Sequence, residues 1–224
     1  MSQPVIEFQH VTKSYFRDQQ EVPVLRDFSL SIPQGKFLAI MGPSGSGKTT
    51  ILNLIAGLDR PTQGTVRAAG MEVSQQRESN LAQWRSRHIG FIFQFYNLIP
   101  VLTAAENVEL PLLLSALAKR ERLKHVHAAL GLVGLNDRIH HYPRQLSGGQ
   151  EQRVGIARAI VSDPTILLAD EPTGNLDRDA AQAVMALLSR LHQELKKTIL
   201  MVTHDPRAAD YAQEILHFDK GKVN

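Results

Sequence analysis

The sequence predicts an α/β fold, a mostly parallel sheet with helices on its faces, and three observations carry that expectation. The apolar run Phe37 to Met41 is followed by the glycine-rich stretch Gly42 to Gly47 and by helical periodicity from Thr49 to Ala56. Ile166 to Ala169 is an apolar run too short for a helix, and it ends on two carboxylates, Asp170 and Glu171. Val184, Leu187, Leu188, Leu191 and Leu195 recur at helical spacing before the β-rich run Thr198 to Val202. Strands alternating with helices build parallel sheets, whose ligands bind beyond the carboxyl ends of the strands.

Turn residues and short apolar runs define the remaining elements. Phe28-Ser29-Leu30-Ser31-Ile32 alternates apolar and polar residues, as a half-buried strand does, and Pro33-Gln34-Gly35 turns the chain, so the start is β-rich. Pro61 to Gly64 marks another turn, Thr65 to Arg67 a short strand, and Ile89 to Phe93 a further apolar strand. Ala104 to Val133 reads as helical with a break near Pro111, and Pro100 and Pro143 suit the edges of an inserted helical lobe. The segment after Gly149 through Ala159 is helical again. No internal repeat or low-complexity linker interrupts this order.

Composition narrows the function classes. With 224 residues, 43% hydrophobic and 21% charged, the chain can bury a core, which argues against disorder, collagen-like repetition or a solenoid. The absence of cysteine rules out disulfides, thiolate metal sites and a cysteine nucleophile, and fits a cytoplasmic setting. Leu110 to Ala118, the longest strongly apolar stretch, contains Pro111 and falls well short of the ~20 residues that span a bilayer. Met1 to Gln9 lacks a basic segment followed by an apolar run, so no secretory leader is visible. The formal charge of +3 is scattered, and nucleic-acid binding is not expected.

Gly42-Pro43-Ser44-Gly45-Ser46-Gly47-Lys48-Thr49 matches the pattern Gly, four residues, Gly-Lys-Ser/Thr, placed between a strand and a helix. Glycines let successive backbone N–H groups converge on phosphate oxygens, and the helix dipole adds to their pull. Lys48 supplies a point charge and Thr49 a hydroxyl for Mg²⁺; with Thr50 beside them, these are the expected binding residues for a nucleoside triphosphate. A flexible glycine turn is the competing reading. Asp170, emerging from a buried strand, can reach the same magnesium shell, and Glu171 can act as general base towards the attacking water. Taken alone, the pair reads equally well as a solvated turn. Leu146-Ser147-Gly148-Gly149-Gln150 opens a helix and offers a hydroxyl, unhindered amides and a dipole, a second anion cradle, although Ser147 as a plain helix cap explains it too.

On these residues the chain resembles the ATPase subunits of ABC transporters, over nearly its whole length and in the family's order. Leu146 to Gln150 is similar to their signature motif, Gly42 to Thr49 and Ile166 to Glu171 to Walker A and Walker B, and Gln94 to the Q-loop. Gly174-Asn175-Leu176-Asp177 resembles the D-loop and His204 the switch histidine; Tyr15 falls at the adenine-stacking aromatic, with a core tyrosine as the alternative. Gln94 is thereby expected to coordinate Mg²⁺ or orient the water, His204 to bond the γ-phosphate, and Asp177 to sit at the subunit boundary while also capping the helix from Arg178. The resemblance implies a nucleotide-binding core with an antiparallel N-terminal β subdomain over 1–94 and 151–224, and a helical subdomain over 95–150. Finer strings, Asn53 to Asp59, Phe95 to Pro100 and Asp170 to Asp177, resemble the lipoprotein-release, macrolide-export and cell-division branch. Glu151 stands where Gln is as frequent, and Gly155 lies inside a helix where Ala is common, at a cost of about 1 kcal/mol unless a close contact needs it.

The resemblance further implies a head-to-tail homodimer burying two ATP, the signature of one copy closing over nucleotide held by the other. Closure and opening then drive a membrane permease, which holds the subunit at the cytoplasmic face of the membrane, and Phe95, Tyr96, Leu98 and Ile99 are the expected apolar anchors if they do not fill the lobe's own core. Two alternatives stand beside transport: ATP-driven signalling through a membrane partner, and a soluble relative acting on DNA or ribosomes. The latter usually carries two cassettes or a coiled-coil insert, which this chain lacks.

Overall fold

The computed structural model describes residues 4–18, 20–219 and 221–223; of the Met1 to Gln9 stretch read for a leader, Met1 to Gln3 lie outside the described residues. The long strands β1 (Pro4–Arg17) and β2 (Gln20–Pro33) precede β3 (Phe37–Met41), which leads into α1 (Lys48–Ile55). Next come β4 (Gln63–Ala68), β5 (Met71–Glu72), α2 (Glu78–His88) and β6 (Ile89–Ile92). α3 (Ala104–Glu109), a 3₁₀ stretch (Leu110–Leu114) and α4 (Lys119–Leu132) form the helical segment. They are followed by α5 (Gly148–Ile160), β7 (Ile166–Asp170), α6 (Arg178–Leu195), β8 (Thr198–Thr203), α7 (Pro206–Ala209), β9 (Glu214–Asp219) and β10 (Lys222–Val223).

The strands make two sheets. One is four-stranded and antiparallel, in the order β2-β1-β4-β5. The other is six-stranded, β10-β9-β3-β8-β7-β6, and parallel except for β10. In β3, β7 and β8 nearly every side chain is buried, because a parallel sheet is covered on both faces. The period of two then sorts these residues between two cores. Phe37, Ala39, Leu167, Ala169, Ile199 and Met201 join the cluster made with α3 to α6, whereas Leu38, Ile40, Ile166, Leu168, Leu200 and Val202 face α1 and the antiparallel sheet. All five parallel strands run the same way, so β3, β6, β7 and β8 deliver Gly42, Gln94, Asp170 and His204 to one edge.

The α/β expectation holds, with three differences in detail. The helical reading of Ala104 to Val133 is interrupted for longer than one proline: α3 ends at Glu109, the chain tightens to 3₁₀ around Pro111, and α4 starts only at Lys119. A proline removes a backbone donor and clashes with the preceding turn, and Ser115 then accepts the local bond from the Leu117 amide instead of a helical one. Helix α2 leaves no clear apolar period in the sequence because only Leu81 and Trp84 are buried on it. Strand β9 leaves none either; among its six residues only Phe218 is buried, and its pairing partner β3 supplies the rest of its definition. Between β6 and α3, the fully buried Asn107 fastens the loop, its amide oxygen accepting from the Ile99 N–H at 2.7 Å and its amide nitrogen donating to the carbonyls of Ile99, Leu102 and Thr103.

Gly155 has no close contact that demands it: a Cβ there would lie 3.5 Å from Gln152 Oε1 and 3.6 Å from the Tyr96 carbonyl, ordinary van der Waals distances. Gly155→Ala is therefore expected to stabilise the fold by about 0.5–1 kcal/mol, since alanine loses less chain entropy in a helix. Thermal unfolding should show a rise of about 1–4 °C for a chain of this size. A lower melting temperature would mean that the helix cannot accommodate the methyl group.

Candidate functional site

The glycine loop is shaped by what passes over it. A Cβ at Gly42 would lie 2.0 Å from the carbonyl oxygen of Phe218, so β9 can cross there only because residue 42 has no side chain. The Lys48 side chain turns back into the loop, its Nζ donating to the carbonyls of Gly42 at 2.7 Å and Pro43 at 2.9 Å. Lys48 is buried, and desolvation holds its pKa below the usual lysine value despite the nearby Glu171 and Asp170.

Helix α1 begins at Gly47 without a side-chain cap and without an acid in its first turn. By contrast α3, α5 and α6 are capped by Thr103, Ser147 and Asp177. Uncapped N–H groups and a positive dipole end accept an anion. Ser46 adds a buried hydroxyl oxygen that has no hydrogen-bond partner. These features fit a phosphate chain, which would supply the missing acceptors and a counter-charge for Lys48.

Opposite the loop, Thr49 donates its hydroxyl to Asp170 Oδ1 at 3.2 Å. Desolvation raises the Asp170 pKa, Glu171 next to it adds to the rise, and the Thr49 hydrogen bond and Lys48 oppose it. Glu171 turns out of the strand with φ 47°, a left-handed backbone that re-aims its carboxylate, while its N–H is held by the Val202 carbonyl at 3.0 Å. The carboxylate lies 2.9 Å from His204 Nδ1 and 3.9 Å from Lys48 Nζ, and it also accepts from the His204 backbone N–H at 3.3 Å. Gln94 reaches the same place because residue 174 is glycine; a Cβ there would lie 2.8 Å from Gln94 Nε2.

A cleft of about 570 Å³ collects these groups. Among the described residues it is lined by Val24, Pro43, Ser44, Gly45, Gly47, Lys48, Thr49, Thr50, Gln94, Asp170, Glu171 and His204. Ser147, Gly148, Gly149, Gln150 and Asp177 do not line it. Ser147 and Gln150 form a capping box on α5, with Ser147 Oγ accepting from the Gln150 N–H at 3.4 Å and Gln150 Oε1 from the Ser147 N–H at 2.9 Å. Asp177 caps α6 by accepting from the Ala180 N–H at 2.8 Å, as the sequence predicts. Tyr15 is 40% exposed beside the cleft, its hydroxyl 3.4 Å from Thr50 Oγ1. Of the expected apolar anchors, Phe95 and Ile99 are exposed, whereas Leu98 packs against the core.

Several residues at the site carry no motif. Val24, on β2, enters the cleft through sheet packing that no local pattern announces. Gln152, fully buried on α5, donates to the carbonyls of Phe93 at 3.1 Å and Pro172 at 2.6 Å. Arg158, further along the same helix, donates to the carbonyls of Tyr96 at 2.7 Å and Asn97 at 2.5 Å, both residues with positive φ. Asn175 donates to the Gln94 carbonyl at 3.1 Å. No pattern along the chain announces this clamp, because Gln152 and Arg158 belong to no motif and reach carbonyls that only the fold brings beside them.

Comparison with known proteins agrees with the geometry. The family model described as ABC transporter matches residues 25–174. The chain is 47% identical over 214 residues to the uncharacterized ABC transporter ATP-binding protein YvrO of Bacillus subtilis, covering 96% of this chain and 93% of that one. It is 45% identical over 223 residues to the macrolide export ATP-binding/permease protein MacB of Hyphomonas neptunium, covering 100% of this chain and 34% of that larger protein. Among solved structures, the dimeric post-hydrolysis state of the ATP-binding cassette MJ0796 bound to ADP and Pi superposes with a TM-score of 0.89 at 42% identity, over 98% of this chain and 96% of that one.

The raised pKa of Asp170 has a sign that stability measurements can read. A carboxyl whose folded pKa stands above its unfolded value disfavours folding when ionised, and the penalty fades as pH falls through the carboxylate range. Ligand-free Asp170→Asn is therefore expected to melt higher than the parent chain at neutral pH, with the difference shrinking in acid. Scanning fluorimetry across pH checks this, and a variant that melts lower at neutral pH would show that the ion is net favourable.

Proposed function

The chain belongs to the ABC transporter ATP-binding proteins, and on that premise we propose how its own residues carry out the hydrolysis. It binds and hydrolyses ATP, dimerises around the nucleotide, and works with a membrane permease. In the proposed reaction Lys48, the α1 amides and the 44–47 loop hold the β- and γ-phosphates. Thr49 Oγ, Asp170 and Gln94 offer hard oxygen donors that fit Mg²⁺, a few protein ligands beside phosphate and water being its usual coordination. Bound there, the ion neutralises phosphate charge and orients the terminal phosphoryl group.

Glu171 carries the chemical step. Its carboxylate takes the proton from the attacking water as the γ-phosphorus to ADP oxygen bond breaks. The observation that carries this assignment is the position of that carboxylate, between Lys48 and His204 at the mouth of the cleft. Nδ1 donates to the Glu171 carboxylate, so His204 can also donate from Nε2 to a γ-phosphoryl oxygen only as the imidazolium, in which both ring nitrogens are donors.

The serine–glycine turn completes the site in the dimer. Ser147 Oγ uses a lone pair to cap α5, which leaves its O–H proton free to donate to a phosphoryl oxygen held by the partner copy. Gly148, Gly149 and Gln150 present the N-terminal turn of α5 alongside it, and Asp177 borders the same interface. Two-fold symmetry makes two such composite sites. Contacts that exist only in the closed dimer make ATP favour closure, and hydrolysis removes that preference.

Residues 1–94 and 151–224 act as the nucleotide-binding core with its β subdomain, and 95–150 as the helical lobe. Exposed Phe95 and Ile99 offer the permease an apolar grip, and that contact holds the subunit on the cytoplasmic face of the membrane. The work is export, a reading supported by the match to 34% of the macrolide export ATP-binding/permease protein. Signalling without transport is not favoured by the relatives found.

Glu171→Gln is expected to keep ATP and stabilise the closed dimer while lowering turnover by about 10²–10⁴-fold. Phosphate release together with gel filtration in ATP measures both, and wild-type release would contradict the base assignment. Ser147→Arg should abolish hydrolysis and ATP-dependent dimerisation while the monomer still binds ATP. Normal turnover by that variant would sink the shared site.

A further inference from the structure

Tyr15 does not stand alone beside the cleft. Its Oη donates to Asp59 Oδ2 at 2.7 Å, and Asp59 Oδ1 receives Lys13 Nζ at 2.6 Å. Lys13 Nζ also donates to the Arg60 carbonyl at 2.8 Å and sits 4.6 Å from the centroid of the Tyr15 ring. The Lys13 and Asp59 side chains are only 10% and 25% exposed, so the pair is shielded from solvent screening. Lys13 and Tyr15 are two residues apart on β1, which puts both on one face of the strand, over the turn that follows α1. That turn is itself tied to β1, the Thr62 N–H donating to the Thr12 carbonyl at 2.8 Å and the Ser14 N–H to Thr62 Oγ1 at 3.1 Å.

We propose that Asp59 and Lys13 are positioning residues for the base end of the nucleotide site: Asp59 fixes the Tyr15 ring through its hydroxyl, and Lys13 covers one face of that ring, leaving the other for the base. The inference rests on the reading of Tyr15 as the adenine platform and deepens it. A ring that is 40% exposed on a hairpin loses rotamer freedom when a base stacks on it, and a hydrogen bond to a half-buried carboxylate removes that freedom beforehand. The ammonium behind the ring is attracted by its negative face, which seats the platform from one side only. Protonation fits these roles. Burial works to raise the Asp59 pKa, but the hydrogen bonds from Lys13, Tyr15 and the Arg60 N–H outweigh it and hold the carboxyl below its usual value, as an acceptor. Burial raises the Tyr15 pKa and Asp59 adds to the rise, against the Thr50 hydrogen bond, so the phenol remains a donor.

The arrangement also links the two ends of the nucleotide. Helix α1 bears Lys48 and Thr49 in its first turn and runs into the turn carrying Asp59, while Thr50 touches the Tyr15 hydroxyl. One short helix therefore sets the distance between the phosphate grip and the platform.

The test compares ATP with inorganic tripolyphosphate, which has the charge of the phosphate chain and no base, by isothermal titration of the full chain in Mg²⁺. Tyr15→Phe keeps the ring and loses the donor, Asp59→Asn loses the carboxylate charge, and Tyr15→Ala loses the platform. Tyr15→Ala is expected to weaken ATP by more than about tenfold, and Tyr15→Phe and Asp59→Asn by about fivefold each. Tripolyphosphate binding should change less than about twofold in all three, and the Tyr15→Phe/Asp59→Asn double variant should be no weaker for ATP than either single one.

If Tyr15→Ala weakens ATP while Tyr15→Phe and Asp59→Asn bind like the parent chain, the positioning role is overturned and the platform stands. If Tyr15→Ala binds ATP normally, the platform reading itself fails and takes the inference with it. Equal losses for ATP and tripolyphosphate, or additive losses in the double variant, overturn the inference by showing that Asp59 acts on the fold at large. Should Asp59→Asn fail to fold, the parent-like or weakened affinity of Tyr15→Phe still decides the matter.

Discussion

A buried ammonium ion governs this molecule. Lys48 is withdrawn from water and answered by two loop carbonyls, at the start of a helix that carries neither cap nor acid. Positive charge from the side chain and from the helix end converges on one small volume, and the protein's own carboxylates answer it only in part. Asp170 is hydrogen-bonded to Thr49, and Glu171 stays 3.9 Å away beside His204. Such a site is poorly satisfied by itself and well satisfied by phosphate, which is why ATP is both ligand and structural element.

The same economy of contacts explains how the site is held. Gly42 lets β9 pass over the loop, and Gly174 makes room for the Gln94 side chain. The chain around Gln94 is fastened from two directions: α5 grips the carbonyls on either side of it through Gln152 and Arg158, and Asn175 grips its own carbonyl. Helix α5 begins with the serine–glycine turn, so that turn and the side chains that hold the Gln94 segment belong to one rigid element. The tie runs through hydrogen bonds to backbone, which cannot stretch far without breaking. Exposed Phe95 and Ile99 lie at the end of this linkage.

Much of the site is visible along the chain because its chemistry is local. A strand, a glycine loop and a helix are consecutive residues, and an anion cradle needs no distant partner to be recognised. The α/β alternation is readable from Phe37 to Met41, Ile166 to Ala169 and Thr198 to Val202, since strands buried on both faces are continuous apolar runs. Helix α2 and strand β9 are not readable, for the opposite reason. Their burial is confined to Leu81 and Trp84 in one and to Phe218 in the other, and neighbouring elements define them.

Residue type and order alone thus determined the phosphate loop, the pair of carboxylates, the capping turn at Ser147 and the alternating architecture, because each is encoded within a few consecutive residues. Only the tertiary structure decided that Val24 closes on the loop, that Gln152, Arg158 and Asn175 hold the Gln94 segment, and that Asp59 and Lys13 grip Tyr15. It also decided that the serine–glycine turn lies outside the chain's own cleft. Apart from that of Lys13 with Tyr15, these are contacts between residues tens of positions apart, and no periodicity or motif records which strand edge will bring such residues together.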